Sequence, residues 1–391
     1  MKICVAVLFG GKSVEHEVSI ISAVQAMASM DTEKYEVIPV YITKDNEFWH
    51  GDAMTNIEAF KDIPALLKTC HRVQFTVRDS RTYLESRRRI LGPKVSKLID
   101  VGFPIVHGTN VEDGALQGFL ETMNLPYVGP NVLASAVGMD KFTMKVMLAE
   151  GGFPVLPGLR FSMTQWHSDQ IITQVEDTFE YPVIVKPVNL GSSVGIGKAH
   201  DADELRTRLD DAFSFAKYVL VEPAVNNLRE INCSVVGDSL QAEASECEEP
   251  VMSDEILSYK DKYVSSGKSG SKTAGMASLK RKIPAEISTE QREHVRQLAV
   301  GAFQYLDLAG VTRVDFLMDG TTEEIWINEV NTIPGSLSFY LWEPLGVAYR
   351  ELLDRLITLA LKRQREIQDL SYCFDTNILA GAQLGSKGSK R

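Results

Sequence analysis

Residues 3–9 are apolar without a break, and the run stops on Gly10-Gly11. A strand with one wet face alternates apolar and polar residues, whereas a strand buried on both faces reads as a continuous apolar run. The segment therefore asks for a sheet covered on both sides, and paired glycines allow a tight turn at the strand's carboxyl end. Residues 19–30 follow as a helix, with Ile20, Val24 and Met27 on one face. Residues 37–42 and 101–106 read as further strands and residues 115–123 as a helix. Strands alternating with helices indicate an α/β domain with a mostly parallel sheet. Ligands of such sheets bind beyond the carboxyl ends of the strands, where Gly10-Gly11 and the segment after Val106 fall.

A chain of 391 residues is long for one domain. Residues 139–150 read as a helix closed by Gly151-Gly152, with Pro154 and Pro157 beyond. We place a boundary before it, giving an N-terminal domain over 1–138. A central domain over 139–224 contains strands at 182–187 and 218–221 and a loop at 189–197. A third domain over 225–365 has α+β character, with strands at 231–236 and 310–317 around a long loop and a helix. Ser288 and Gln291 have capping-box spacing at that helix's start, and Val295, Leu298, Ala302 and Leu306 form its core-facing stripe. Residues 265–282, rich in Ser, Gly and Lys, read as a mobile surface loop, and residues 366–391 as a disordered tail.

Net charge is −11, and no basic patch of the kind nucleic acids require is present. The five cysteines are scattered and contain no CxxC pair, which suits a reducing cytoplasm rather than a disulfide framework. No apolar run reaches the length of a membrane span, and the N-terminus enters a strand without a leader-like segment.

The chemistry concentrates in two places. Lys186 comes off a strand into a loop of Gly191, Ser192, Ser193, Gly195 and Gly197. Small residues let backbone N–H groups approach phosphate oxygens, although such a loop can also be a plain turn. Arg313 and Asp315 stand two apart in one strand, and Glu329 and Asn331 two apart in another, so each pair shares a face. Two carboxylates and an amide oxygen suit Mg²⁺, and the alternative is a pair of surface strands joined by ion pairs.

These stretches, in order, resemble the ATP-grasp superfamily and within it the D-alanine–D-alanine ligase family. The resemblance runs through Gly10 to Ser19, His107-Gly108 with Glu112 to Gly118, Met139-Asp140-Lys141, Pro182 to Gly195, Lys262-Tyr263, Arg313-Val314-Asp315 and Asn328 to Gly335. It implies an ATP-grasp fold, in which an N-terminal domain and two further domains enclose ATP, and an activity that joins two D-amino acids through an acyl phosphate. It also implies ATP with two Mg²⁺ or Mn²⁺ ions, small-molecule substrates without nucleic acid or membrane, a homodimer and a cytoplasmic setting. By the same resemblance Lys141, Lys186 and Ser193 contact phosphates, Glu222 and Val225 form the adenine hinge, Glu230 holds ribose and Lys262 reaches the γ-phosphate. Asp315, Glu329 and Asn331 hold metal. Glu15 binds the first amino acid's ammonium with His107 nearby, Ser192, Tyr263 and Glu15 form one hydrogen-bonded group, and Arg313 and the Gly335 N–H stabilise the tetrahedral intermediate. Residues 259–275 are the natural lid.

The sequence departs from the family pattern after Pro334-Gly335. Tyr340 stands where a serine would meet the acceptor's carboxylate, beside Leu341. We expect the Tyr340 hydroxyl near that carboxylate; the alternative is that Tyr340 turns inward to pack with Phe339 and Trp342. This leaves D-serine, D-lactate or another amino acid open as acceptor, and a non-catalytic binding protein as a more distant reading.

Overall fold

The apolar run at residues 3–9 lies at the centre of a sheet. In the computed structural model, which describes residues 2–86, 95–166, 170–191, 194–251 and 281–370, β1 (Ile3–Gly10) pairs in parallel with β2 (Tyr35–Ile42) and β7 (Val101–Val106). Val5 through Phe9 are fully buried, as a strand covered on both faces requires. Four further strands, β3 (Phe48–His50), β4 (His71–Arg78), β5 (Arg81–Ser86) and β6 (Ser96–Leu98), extend the sheet antiparallel in the order β6-β5-β4-β3-β2-β1-β7. The sheet is thus mixed rather than mostly parallel. In β4 and β5 the buried residues alternate with more exposed ones, as on a sheet with one wet face.

Helix α1 (His16–Ser29) starts three residues before the expected position, directly after the Gly10-Gly11 turn. The short α2 (Ile63–Thr69) and α3 (Ala115–Thr122) also belong to this part of the chain. The helix expected over 139–150 is α5 (Lys141–Glu150), preceded by an unforeseen α4 (Val132–Met139). Asn131 and Asp140 cap α4 and α5 by accepting from the Ala134 and Thr143 N–H groups.

The second sheet contains β8 (Leu159–Ser162), β9 (Val183–Pro187), β10 (Gly197–Ala199) and β11 (Tyr218–Pro223) in the order β10-β9-β11-β8. Its inner residues, with those of α6 (Gln170–Thr178) and α7 (Ala202–Phe213), form a core of their own. The third sheet contains β12 (Leu228–Gly237), β13 (Ala242–Pro250), β14 (Arg281–Lys282), β15 (Gly310–Asp319) and β16 (Ile325–Asn331), in the order β14-β13-β12-β15-β16. Across it lies α8 (Thr289–Tyr305), whose Ser288–Gln291 capping box has both halves formed.

Packing cuts across chain order. Ala134 and Val137 of α4 and Met144 and Leu148 of α5 join the core of the third sheet. The last helix, α9 (Tyr349–Gln368), buries Leu352, Leu353, Leu356 and Ile357 in the core of the first. It runs past residue 366, into the segment read as a tail; residues 371–391 lie outside the described residues. Among the described residues no helix is long and apolar enough to cross a membrane, and Cys4, Cys70, Cys233 and Cys247 are free thiols.

Candidate active site

The carboxyl end of β1 supplies the first acidic group. Gly10 and Gly11 have φ of 91° and 93°, and a Cβ on either would lie within 2.5 Å of Ile42 O or Val111 Cγ1. Only glycine suits this turn, which delivers Glu15 to the start of α1 with its side chain buried. Gly191 passes so close that a Cβ there would be 2.8 Å from Glu15 Oε2. The absence of a side chain at Gly191 is what brings the glycine-rich loop and Glu15 together.

The carboxyl end of β7 supplies His107 and Glu112. His107 Nδ1 lies 2.8 Å from Ile333 O, so it carries the proton and donates. Nε2 then accepts from Ser22 Oγ at 3.1 Å, and Ser22 Oγ accepts the Ser336 N–H at 2.9 Å. His107 is therefore neutral, with both nitrogens engaged, and burial pushes its pKa down to about 4. Glu112 accepts from the Gly108 N–H at 2.9 Å, from the Ile333 N–H at 2.9 Å and from Thr332 Oγ1 at 3.0 Å. Burial, reinforced by the charge of Glu15, nevertheless pushes its carboxyl up to about 7.

In β15 and β16, Arg313 lies opposite Asn331 and Asp315 opposite Glu329. The Arg313 guanidinium grips Asp315 with two bonds of 2.6 and 2.7 Å, and Asn331 Nδ2 donates to Asp315 at 2.9 Å. Lys141, at the start of α5, donates to Leu190 O at 2.7 Å and reaches Glu329 at 3.0 Å. Lys186 on β9 donates to Asn328 Oδ1 at 3.0 Å and pairs with Glu222 on β11. The other oxygen of Glu222 is held by Lys145. Burial opposes charge on Glu222, but the two ammonium groups hold its carboxyl below its ordinary value.

A cleft of about 520 Å³ runs between the second and third sheets. Lys141, Lys186, Glu222, Val225, Glu230 and Asp315 are on its wall. A smaller pocket of about 60 Å³ shares Lys141, Arg313 and Glu329 with that cleft. Glu15, His107, Glu112, Asn331 and Gly335 are also on its wall. Among the described residues no three His, Cys, Asp or Glu side chains form a preassembled metal cluster. The oxygen set of Asp315, Glu329 and Asn331 still fits Mg²⁺, which commonly takes one or two carboxylates and completes its shell with phosphate and water. Burial and the facing Glu329 push the Asp315 carboxyl up despite Arg313.

Sequence models of the D-ala D-ala ligase N-terminus and C-terminus match residues 4–130 and 147–358. The chain belongs to the D-alanine–D-alanine ligase family. It is 36% identical to the D-alanine–D-alanine ligase of Thermosipho melanesiensis, over 96% of this chain and 98% of that one. It is 41% identical to that of Thermoanaerobacter sp. X514, over 93% and 97%. Among solved structures it resembles the D-alanine–D-alanine ligase from Coxiella burnetii, with a TM-score of 0.77 and 30% identity over 94% of this chain and 96% of that one. It also resembles the VanG D-Ala:D-Ser ligase from Enterococcus faecalis, with a TM-score of 0.76 and 30% identity over 92% and 100%. The fold is that of an ATP-grasp ligase, and the family is one of ATP-dependent enzymes.

Within this ligase fold most residues singled out in the sequence line one of the two connected pockets. Ser192, Ser193, Lys262 and Tyr263 lie outside the described residues, as does nearly all of the segment read as lid and surface loop. Tyr340 and Leu341 line neither pocket. Ser336, Leu337 and Ser338 have φ of 51°, 53° and 49° and turn the chain inward, so that Leu341 is fully buried. The Tyr340 hydroxyl lies 3.3 Å from Glu248 Oε1, with the Arg281 guanidinium 4.0 Å over its ring. Its ring meets that of Phe339 edge-on, with centroids 6.0 Å apart. Sequence reasoning missed Lys145, Glu112, Glu248 and Arg281. Lys145 could have been found, because it stands one helical turn beyond Lys141 on α5.

Proposed function

We propose that this chain ligates two D-alanines to D-alanyl-D-alanine at the expense of ATP, supplying a precursor of peptidoglycan. The observation that carries this is the junction of the two pockets. A large cleft walled by lysines meets, at Lys141, Arg313 and Glu329, a small pocket walled by a buried acid. The small pocket has room for roughly five waters' worth of volume, a scale that suits an amino acid as small as alanine. Glu15 would accept hydrogen bonds from the donor's ammonium and turn its carboxylate towards the cleft. A carboxylate oxygen attacks the γ-phosphorus, the bond to ADP breaks, and an acyl phosphate forms. The acceptor's amine, having lost a proton, attacks the acyl carbon, and phosphate leaves.

In this reading Lys141 and Lys186, with Lys262 and the Ser193 loop, offset the phosphate charge. Asp315, Glu329 and Asn331 hold Mg²⁺ or Mn²⁺, which when bound neutralises charge on the transferring group. Val225 and Glu222 receive the adenine and Glu230 the ribose. Arg313 and the Gly335 N–H stabilise the oxyanion. His107 keeps the Ile333 to Ser336 backbone in place, and Ser192 and Tyr263 join Glu15 over the donor. We place the enzyme in the cytoplasm as a homodimer of three-domain subunits. The test is ATP-dependent phosphate release with pairs of D- and L-amino acids, with products identified by mass. D-alanyl-D-alanine as the main product is expected. A mixed product with D-serine or D-lactate would reassign the acceptor, and no product from any D-amino acid would overturn the reading.

A further inference from the structure

Lys145 is a buried lysine that the proposed reaction does not use. It lies on α5 one turn beyond Lys141, it lines neither pocket, and its ammonium meets one oxygen of Glu222. Glu222 does line the large cleft, and its second oxygen pairs with Lys186. One carboxylate is thus held by a lysine off the cleft and by a lysine on its wall. The two lysines are not equivalent. Lys186 has a second partner in Asn328 and is on the cleft wall, where a phosphate can draw it away. Lys145 has no such alternative among the described residues; burial above all, and then the charges of Lys186 and Lys141, oppose its ammonium, so Glu222 is what keeps its charge in place.

We propose that Lys145 is a positioning residue for nucleotide selection: it fixes one oxygen of Glu222 so that the other, released by Lys186 when a triphosphate enters, accepts a hydrogen bond from a 6-aminopurine. The proposal rests on reading the cleft as an ATP site. Adenine presents an N–H donor at its six-position, where guanine presents a carbonyl acceptor. An ionised, fixed carboxylate favours the first and repels the second. Without Lys145, a buried Glu222 must either keep Lys186, which then fails to reach phosphate, or take up a proton, which lets it donate to guanine. Both routes weaken ATP binding, and the second also erodes selectivity.

The test is equilibrium binding of ATP and GTP to the full chain, by calorimetry, for wild type, Lys145→Met, Lys145→Arg and the double variant Lys145→Met/Glu222→Gln. Lys145→Met should lose about tenfold or more in ATP affinity, the scale of a charge-assisted hydrogen bond, and its preference for ATP over GTP should shrink. Lys145→Arg should recover much of both. The double variant removes the buried charge together with its partner; it should fold at least as well as Lys145→Met and show equally poor selectivity. A folded Lys145→Met protein, or a folded double variant, with wild-type ATP-over-GTP preference overturns the proposal. Because the measurement is binding, absence of amino-acid ligation would count against the enzymatic reading alone.

Discussion

His107 and Glu112 flank one short loop and titrate in opposite senses. The folded-state pKa of His107, about 4, lies below its ordinary 6.5, so the unfolded chain takes up this proton first as the pH falls. Its contribution to stability is present above 6.5 and is lost as the pH falls through 4. Glu112, at about 7 against an ordinary 4.5, contributes below 4.5 and loses that contribution as the pH rises through 7. Each shift corresponds to roughly 3 kcal/mol, so the two slopes largely cancel between them. Relative to wild type, Glu112→Gln should therefore gain stability with rising pH across this window, and His107→Gln should lose it. Urea unfolding at a series of pH values measures both, and parallel curves for all three proteins would remove the assignment. Tyr340 is buried and lines neither pocket. Its hydroxyl donates to Glu248 on the wall of the large cleft. Tyr340→Phe should lower stability by about 1 kcal/mol and leave the half-saturation of both amino acids unchanged. A rise confined to the acceptor, in steady-state kinetics with each substrate varied in turn, would put the hydroxyl back at the substrate.

Elements whose signal is local were legible, and those held by distant partners were not. β1 and β7 announce themselves by unbroken apolar runs, and α8 by its capping box. That box yields a clean measurement: Ser288→Ala leaves the Gln291 N–H without its acceptor and should cost about 1 kcal/mol. Since Ser288 lines neither pocket, turnover should stay at the wild-type level. An unchanged unfolding midpoint would mean that the helix terminus finds another partner. The outer strands β4 to β6 carry an alternating pattern too short to stand out, and nothing in Ser336, Leu337 and Ser338 foretells a left-handed turn. That turn costs backbone energy at each residue. It persists because α1 grips it, through Ser22 Oγ to the Ser336 N–H and Gln25 Oε1 from the Ser336 hydroxyl, while Leu337 is buried. The pairing of Asp315 with Glu329 was foreshadowed by the period of two, because that period assigns a face to each residue without any tertiary information. The roles of Glu112 and Lys145 needed the packed structure, because an acid in a loop or a lysine on a helix can equally face water.

At the scale of the whole molecule, the three sheets make unequal partnerships. Val236 and Val311 of the third sheet, with Ile333 to Trp342 beyond it, share a core with the first sheet and α9. The core of the second sheet, by contrast, is drawn from residues 161–221 alone. The links that tie it across the cleft include polar pairs, Lys186 to Asn328 and Glu222 to Lys145, and polar pairs give way to a ligand more readily than apolar packing does. A nucleotide that touches Glu222 and Lys186 on one side and Asp315 and Glu329 on the other would therefore clamp a separate body onto a larger one. At a ligand concentration near 100 times Kd, binding is worth about 2.7 kcal/mol, or about a hundredfold in any exchange that requires the clamp to open. Hydrogen exchange with and without ATP and Mg²⁺ should accordingly show slowing in β9, β11, β12 and β15. β4 and β5 lie on the far side of β1 from β7, outside the clamp, and should change little. Equal protection of β4 and β5 would mean that the chain opens as one unit. Protection confined to the third sheet would mean that the nucleotide leaves the second sheet free, and with it the contact to Glu222.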